Sequence, residues 1–406
     1  MKRICLIGHG QPSRNPRLVR DANCLSSAGY NVTVVTPRIL KSWVKYDEEL
    51  TKNVKWNYIY LDYINPPLSI LYWQYVRVRK RISKALSSYF HSDLIIANAV
   101  EYLNQELFIK ASKIKADIYI AHQQQALPAA AWAATKNNCK FAVDIHDLLA
   151  DCSSEPVYLI KYIEKRYLHE CAYISTMSTV AAQRIKEVNC LSTKPIVRYN
   201  VQSIEERKGI LPPNQRKFSE VINMYWFGQT IGYHSRADQV LKAIPLLCKP
   251  IKLVLRGNPN TEFTNYLISL AKELNILHCL EIKPIASPSD MVSLAAQHDI
   301  LLGSQPDKEL FHQMAIGNKV FTGMMAGLAL ALTDTIAHRQ FINENHGCGF
   351  LFPDQDEVAL AKHLNSMLMD KKILENMKVR SWNLAESHFN LEKECDLFVN
   401  DISFLI

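Results

Sequence analysis

The chain has 406 residues, of which 48% are hydrophobic and 21% are charged. This length suits two domains better than one, and the composition excludes a disordered chain, which needs low hydrophobicity and high net charge. The net charge of +8 is uneven, because residues 1–200 hold 27 Lys and Arg against 16 Asp and Glu, whereas the remaining residues sum to −3. A basic first half is expected to face an anionic partner.

Targeting and cysteine patterns are those of a cytoplasmic protein. No apolar run reaches the roughly 18 residues that cross a bilayer. Met1–Gly8 leads into a strand pattern and lacks the apolar core of a signal peptide. The ten cysteines form no Cys-x-x-Cys pair and have no zinc-ligand spacing, so we predict neither disulfides nor a metal site.

The first half alternates short apolar runs with helical patterns. A strand at Arg3–Gly8 leads through a turn with glycine and proline into a helix that stops near Gly29, and Asn31–Thr36 follows as a second strand. Further strand-like runs are Asp93–Ala97, Asp117–Ala121, Lys140–Ile145 and Ala172–Met177. This alternation predicts a mostly parallel sheet covered by helices on both faces.

Residues 201–218 interrupt this rhythm with a polar stretch that contains Pro212 and Pro213, which is typical of a linker. Strand-like runs then resume at Val221–Phe227, Ile251–Leu255, Leu280–Lys283, Ile300–Gly303, Leu328–Leu332 and Gly349–Phe352. We therefore predict two doubly wound, Rossmann-like α/β domains at residues 1–200 and 219–388, facing across a cleft with ligands at the carboxyl ends of the strands. The helical pattern in residues 389–406 is compatible with a return to the first domain.

Five segments, in the expected order over essentially the whole chain, resemble the retaining GT-B glycosyltransferases that build bacterial surface polysaccharides. The segments are Ser13–Arg17 with Ala28–Val35, Phe141–Asp147, Trp226–Gln229 with Ser235–Ile244, Asn318–Asp334, and Arg339–Pro353. The resemblance implies transfer of a sugar from a nucleoside-diphosphate sugar, with a UDP-sugar favoured, to a saccharide or lipid-linked saccharide. It also implies retention of configuration and no requirement for a metal ion or other cofactor.

The segment Gly317–Asp334 is the predicted donor site. Asn318 and Lys319 stand at a predicted helix start, where backbone amides and an ammonium can meet a diphosphate. The resembled family has two glutamates eight positions apart, the second of which grips the ribose. Here Met314 and Thr322 occupy those positions, and a hydroxyl binds a ribose more weakly than a carboxylate does.

Thr322 keeps an alternative open, in which the chain is a weakly active or inactive GT-B homologue that acts as a partner in a polysaccharide assembly complex. A sugar-nucleotide epimerase on the same fold is a third possibility. Activity without any acceptor would distinguish it.

Arg236 and Arg256 are further candidates for the phosphates, because a guanidinium matches phosphate oxygens. Arg256 stands at the end of an apolar strand, and structural ion pairs are an equal alternative for both arginines. We predict that Arg236 and Lys319 stabilise charge on the leaving diphosphate. Gly228 lies in the segment that resembles the first strand of the donor domain and is a further predicted donor contact.

His146 follows a predicted strand, and the resemblance implies that it contacts the donor sugar. Strand alternation places Asp144 on the same side as His146 and Asp147 on the other. A histidine satisfied by its neighbours at a domain face is the alternative. His122 ends another predicted strand and is a further candidate.

The loop with Gly8 and Gly10 is predicted to lie near the leaving group, with Arg17 adding charge. A single glycine-rich turn of this kind is not the dinucleotide-binding fingerprint.

Residues 64–90 combine aromatic and aliphatic side chains with a dense basic run. Its cations are Arg77, Arg79, Lys80, Arg81 and Lys84. Such segments suit an anionic membrane surface, so a peripheral enzyme with a lipid-linked acceptor is one interpretation. An ordinary solvated helix is the other. No nucleic-acid motif accompanies the charge, so nucleic acid is not a predicted partner.

Overall fold

The computed structural model describes residues 1–64, 69–217, 221–306 and 308–406. Packing divides the chain into two units, of which the first joins Met1–Arg198 to Cys395–Ile406 and the second is Tyr199–Glu394. Residues 201–217, which the sequence suggested as a linker, are therefore part of the second unit. The structure places residues 395–406, at the end of the predicted final helix, in the first unit.

The first unit contains a seven-stranded sheet in the order β3-β2-β1-β4-β5-β6-β7. All of its strand pairs are parallel. The strands are β1 Arg3–Gly8, β2 Asn31–Arg38, β3 Asn57–Asp62, β4 Ile118–His122, β5 Lys140–Ile145, β6 Tyr173–Thr176 and β7 Ile196–Val197. A parallel sheet is thus confirmed, although β3 and β7 had no counterpart among the predicted strands.

Helices connect these strands. They are α1 Pro16–Ser27, α2 Val44–Thr51, α3 Ser69–Leu86, α4 Asp93–Val100, α5 Asn104–Ala111, α6 Leu127–Asn137, α7 Val157–Tyr167 and α8 Thr179–Val188. The predicted strand Asp93–Ala97 is wrong, because the same residues begin α4. A short apolar run has the same appearance in a buried helix as in a buried strand, and Asp93 lies in the first turn, where a negative charge favours a helix.

The second unit contains a six-stranded sheet in the order β10-β9-β8-β11-β12-β13, again parallel at every described pair. Its strands are β8 Ile222–Ile231, β9 Ile251–Pro259, β10 Leu280–Lys283, β11 Ile300–Gly303, β12 Ala329–Thr333 and β13 Gly349–Phe352. Its helices are α9 Ala237–Ala243, α10 Thr261–Glu273, α11 Met291–Ala295, α12 Leu310–Met314, α13 Asn318–Ala326, α14 Ile336–Glu344, α15 Glu357–Met369 and α16 Lys371–Ser387.

The last helix, α17 (Leu391–Ser403), supplies part of the first unit's core. Phe398 and Ile402 are buried there with Leu6 of β1 and Leu18 of α1. The structure also joins Cys24 of α1 to Cys395 of α17 by a disulfide, so the prediction of no disulfide is wrong for this pair. The pairing escaped notice in the sequence because the two cysteines are 371 residues apart.

Both sheets reverse their strand order next to their first strand. In the first unit the reversal lies between β1 and β4, and in the second it lies between β8 and β11. Ligands of open α/β sheets bind at the carboxyl ends of the strands at such points. Within the described residues, no helix is both long enough and apolar enough to span a bilayer.

Candidate functional site

In the first unit, the reversal point brings together the ends of β1 and β4. Gly8 and His122 end these strands and are register partners. A Cβ on Gly8 would lie 2.8 Å from Leu18, so this glycine allows α1 to pack closely, whereas a Cβ on Gly10 would meet no atom within 4 Å. Gly10, a predicted donor contact, thus lies beside open space.

A buried carboxylate organises this edge of the sheet. Asp144 of β5 is the register partner of His122. The Arg17 guanidinium donates to both oxygens of Asp144, from Nε to Oδ2 at 2.8 Å and from Nη2 to Oδ1 at 2.5 Å. The Ser175 hydroxyl donates to Oδ1 at 2.6 Å. Arg17 was predicted to add charge near the leaving group, but its fork is occupied by this structural pair.

His146 contacts the same carboxylate. Its Nε2 is 2.9 Å from Oδ2 of Asp144 and 3.1 Å from Nδ1 of His122. Its backbone amide donates to Oε1 of Gln123 at 3.0 Å. Asp144 and His146 therefore share one side, as strand alternation predicts, while the exposed Asp147 accepts from Gln123.

Next to this cluster, a second buried ion pair joins α1 to Arg198, where the Met1–Arg198 part of the first unit ends. Arg198 donates to both oxygens of Asp21, at 2.7 and 2.8 Å. Burial, the largest single influence, would raise the pKa of Asp21, but the charge and hydrogen bonds of Arg198 together with the charge of Arg20 outweigh it, and the pKa is lowered. The pKa of Asp144 is lowered in the same way. Burial raises this pKa, but the combined effects of Arg17 and His146 outweigh burial, so the pKa lies well below the usual range.

His122 is the neutral member of the cluster. It is fully buried, and this burial lowers its pKa to about 3 despite the opposing effect of Asp21. The side chains of His122, Asp144 and His146 are close enough to one another for a metal ion to be considered. Arg17 already neutralises the carboxylate, so these contacts provide no reason to assign one.

In the second unit, Lys319 lies in the first turn of α13, beside the reversal point. Its ammonium is 5.1 Å from the centre of the Trp226 ring, and among the described residues no carboxylate or carbonyl pairs with it. Burial lowers the pKa of Lys319 to about 8. The charge of Lys319 is one cause, after burial, of a lowered pKa at His234, so the two side chains are neighbours. Asn318, the first residue of α13, is exposed.

The two predicted phosphate-binding arginines are engaged by the protein. Arg236 donates through Nε and Nη2 to the carboxylate of the buried Asp354, the latter bond being 2.6 Å. Arg256 donates to the hydroxyl of Tyr225 at 3.0 Å and to the carbonyl of Pro284 at 2.9 Å. Arg256 also does not end its strand, because β9 continues to Pro259. The structural alternative raised for both arginines describes these contacts.

Thr322 and Gly228, the other predicted donor contacts of this unit, both make close contacts within the protein. Thr322 is 1% exposed, and its hydroxyl donates to the carbonyl of Asn318 one turn earlier in α13, at 3.1 Å. This bond holds the hydroxyl against the backbone of its own helix. At Gly228 a Cβ would lie 2.5 Å from the Trp226 ring, so the glycine makes room for the ring against which Lys319 lies.

Each unit thus gathers part of the predicted set. The first brings together His146, His122 and Arg17. The second places Lys319 and Gly228 at the same Trp226 ring, and the charges of Lys319 and Arg236 both act on His234. Sequence reasoning missed Trp226 and Asp354 as neighbours of these residues. Trp226 lies inside a segment that was noted only for its resemblance. Asp354 follows the apolar run that forms β13, so its position after a strand could have identified it.

Comparison with known proteins agrees with this architecture. Residues 223–381 match the family model of the glycosyl transferases group 1. No curated protein matches the chain in sequence. Solved structures match over its whole length, although at low identity, and this likeness establishes the fold.

One such structure is Alr3699/HepE of Anabaena in complex with UDP, with 14% identity, a TM-score of 0.72 and complete coverage of both chains. Another is sucrose-phosphate synthase from Thermosynechococcus elongatus, with 14% identity and a TM-score of 0.70 over 100% of this chain and 99% of that one. The lipopolysaccharide outer core galactosyltransferase WaaB has 16% identity and a TM-score of 0.65, with both chains fully covered. Residues 223–381 of the second unit are therefore similar to the group 1 glycosyl transferases, and the chain as a whole has the two-domain α/β GT-B fold.

Proposed function

We propose that the protein transfers a sugar from a UDP-sugar to a saccharide acceptor during the synthesis of a surface polysaccharide. The observation that carries this proposal is the Lys319 ammonium, which has no anionic partner among the described residues and lies at the start of a nine-residue helix. A diphosphate supplies the missing negative charge, and the free amides of the first helical turn favour it further.

The comparisons support the choice of nucleotide. The HepE structures similar to this chain contain UDP, UDP with glucose, or UDP-glucose. As the diphosphate leaves the sugar it gains negative charge, and a preorganised cation at Lys319 stabilises that charge more than it stabilises the intact donor. This difference is what lowers the barrier to transfer. Retention of configuration and independence of metal ions are part of the proposal.

A thermal-shift series with UDP, ADP and GDP tests donor binding, because a ligand that binds only the folded protein raises its melting temperature. We expect UDP to give the largest shift, with or without EDTA. Incubation with UDP-glucose and a panel of saccharides should then yield a product with retained anomeric configuration by proton NMR. No shift with any nucleoside diphosphate would contradict the proposal.

Thr322 favours a second candidate function, a weakly active or inactive homologue that works as a partner in polysaccharide assembly. Its buried hydroxyl is bonded within its own helix, where the resembled family has a ribose-binding carboxylate. Such a protein would bind UDP weakly, would show no transfer with any acceptor, and would be recovered with other components of the assembly.

We also propose that the acceptor is lipid-linked and that α3 holds the enzyme at the anionic inner face of a membrane. The predicted basic segment begins at residue 64, and residues 65–68 lie outside the described residues. Large apolar side chains are exposed along one stripe of the helix at intervals of three and four residues. They are Leu71, Tyr75, Val78, Ile82 and Leu86, with exposed fractions of 66, 56, 50, 54 and 37%.

The cations of α3 fall into two groups. Arg79 and Lys80 turn inward, where Arg79 pairs with Glu106 at 2.7 Å and Lys80 donates to the carbonyl of Val100. Arg77, Arg81 and Lys84 are exposed and follow the same three- and four-residue spacing beside the apolar stripe. The outer face of a helix that packs against its own domain normally carries polar residues, so the exposed apolar stripe flanked by cations fits insertion among anionic headgroups.

Binding to vesicles measures this contact. We expect sedimentation with phosphatidylglycerol vesicles at low salt and little with phosphatidylcholine alone, because each cation near an anionic surface contributes roughly 1 kcal/mol. The double variant Val78→Ser and Ile82→Ser should lose binding. Val358→Ser, which changes a residue 66% exposed in the second unit, is the matched control. Equal vesicle binding by the double variant would contradict a membrane role for α3. A wild-type dimer that becomes monomeric in the double variant would contradict it as well.

A further inference from the structure

The contacts of His146 determine which of its ring nitrogens carries hydrogen. Asp144 is ionised and offers only acceptor oxygens, and its Oδ2 lies 2.9 Å from Nε2 of His146. Nε2 must therefore carry a hydrogen to form this bond. In the neutral ring Nδ1 then has a lone pair.

The tautomer of His122 follows from that of His146. Nδ1 of His122 faces the same Nε2 at 3.1 Å, so it accepts, and the hydrogen of this neutral ring lies on its own Nε2. That nitrogen is buried and lies 3.7 Å from Oδ2 of Asp21, whose negative charge favours an N–H group at this position. The two histidines and the two aspartates thus have one mutually consistent arrangement of hydrogens.

Nδ1 of His146 is the open position of the cluster. The side chain is 15% exposed, and Nδ1 has no partner among the described residues. The ring is held from several directions. The charged or titratable groups around it are Asp144 of β5, His122 of β4, Arg17 of α1 and His9 after β1. Of these only Asp144 carries a negative charge in contact with the ring.

We infer that Asp144 is a positioning residue, which together with Arg17 fixes His146 with hydrogen on Nε2 and presents Nδ1 as the nitrogen that meets a ligand. Arg17 acts through Asp144: its fork occupies both carboxylate oxygens and so fixes the plane from which Oδ2 reaches the ring. A ligand hydroxyl that donates to Nδ1, as a sugar does, suits this arrangement. The role of the ligand rests on the proposed transferase function, whereas the tautomer does not.

Two-bond proton–nitrogen NMR spectra of protein labelled at histidine test the inference without any turnover. The ring of His146, identified by loss of its signals in His146→Gln, should show the pattern of an Nε2-protonated neutral imidazole at high pH. An Nδ1-protonated pattern in the wild-type protein would overturn the inference.

Asp144→Asn extends the test to function. The oxygen of the new amide stays with Nη2 of Arg17 and with Ser175, so its NH2 takes the place of Oδ2 and faces His146 at the cost of the bond from Nε of Arg17. We expect the ring to switch to the Nδ1-protonated form. The value of kcat should fall at least tenfold while the Kd for UDP changes less than twofold, since Lys319 lies in the other unit. Asp147→Asn, which alters the neighbouring carboxylate bonded to Gln123, should change neither tautomer nor kcat.

These outcomes separate the two ideas. A switched tautomer with unchanged kcat would overturn the positioning role, and an unswitched tautomer would overturn its chemical basis. Absence of UDP binding in the wild-type protein would contradict the proposed function and leave the tautomer result standing.

Discussion

Replacement of Lys319 by methionine tests the proposed donor site most directly. Methionine keeps much of the apolar stem that lies against Trp226 and removes the charge. Loss of one hydrogen bond to a charged group is worth roughly 1.5–3 kcal/mol, so UDP should bind roughly 10- to 150-fold more weakly. The fold should keep its stability, because burial already disfavours this ammonium, as its lowered pKa shows.

The same pKa gives the expected pH dependence and its sign. With a pKa of about 8, Lys319 is charged in about nine of ten free molecules at pH 7 and in about one of ten at pH 9. Isothermal titration calorimetry should therefore show the wild-type affinity for UDP falling by up to about tenfold as the pH rises over this range. Lys319→Met should lack this part of the dependence, and any ionisation of the nucleotide itself will appear equally in both proteins.

Two further variants complete the experiment. Lys319→Arg keeps its charge at pH 9 and should bind UDP there at least as well as the wild-type protein does. Lys362→Met removes an exposed lysine of the same unit and should have no effect. A wild-type affinity that is constant from pH 7 to 9, or wild-type affinity in Lys319→Met, would refute the assignment of Lys319 to the diphosphate.

Two further substitutions and one labelling experiment test other contacts of the structure. Gly228→Ala should destabilise the protein by roughly 1–3 kcal/mol in urea unfolding, because its Cβ would overlap the Trp226 ring, and an unaffected midpoint would contradict that contact. Arg198→Met should cost roughly 3–5 kcal/mol, because it leaves the buried carboxylate of Asp21 with only the longer contact to Arg20, at 3.7 Å, as a cationic partner. The pKa of Asp21 is lower in the folded protein than in the unfolded chain, so this carboxylate stabilises the fold above its unfolded pKa, and the stabilisation is lost as the pH falls through its folded pKa. The free energy of unfolding of the wild-type protein should therefore fall between pH 5 and 2, and Arg198→Met should lack this part of the decrease. Alkylation of the denatured protein without reductant should label the eight cysteines outside the Cys24–Cys395 pair, and labelling of all ten would contradict the disulfide.

The sequence predicted most of the fold because buried parallel strands are continuous apolar runs. Ile300–Gly303 and Gly349–Phe352 have the bounds predicted for them. The strand β3 was missed because none of the residues Asn57–Asp62 is fully buried, so its sequence lacks such a run. The helix α4 was mistaken for a strand because eight residues are too few for periodicity to separate the two.

The sequence predicted where the candidate site residues lie better than it predicted which groups they contact. Lys319 and His146 follow from local sequence, since each lies at the edge that a strand end or helix start defines. The partners of Arg236 and Thr322 do not. Asp354 lies 118 residues beyond Arg236. The hydroxyl of Thr322 donates to a carbonyl of its own helix, and whether it does so or bonds another group depends on how α13 packs.

The return of α17 to the first unit has a consequence for how the protein is made. Phe398 and Ile402 fill the core between β1 and α1, yet they leave the ribosome only after the whole second unit has been synthesised. Until then the first unit has a gap in its hydrophobic core and exposes apolar surface to chaperones and proteases. A nascent chain stalled before residue 395 should accordingly be cleaved in its first unit by a protease that spares the completed protein.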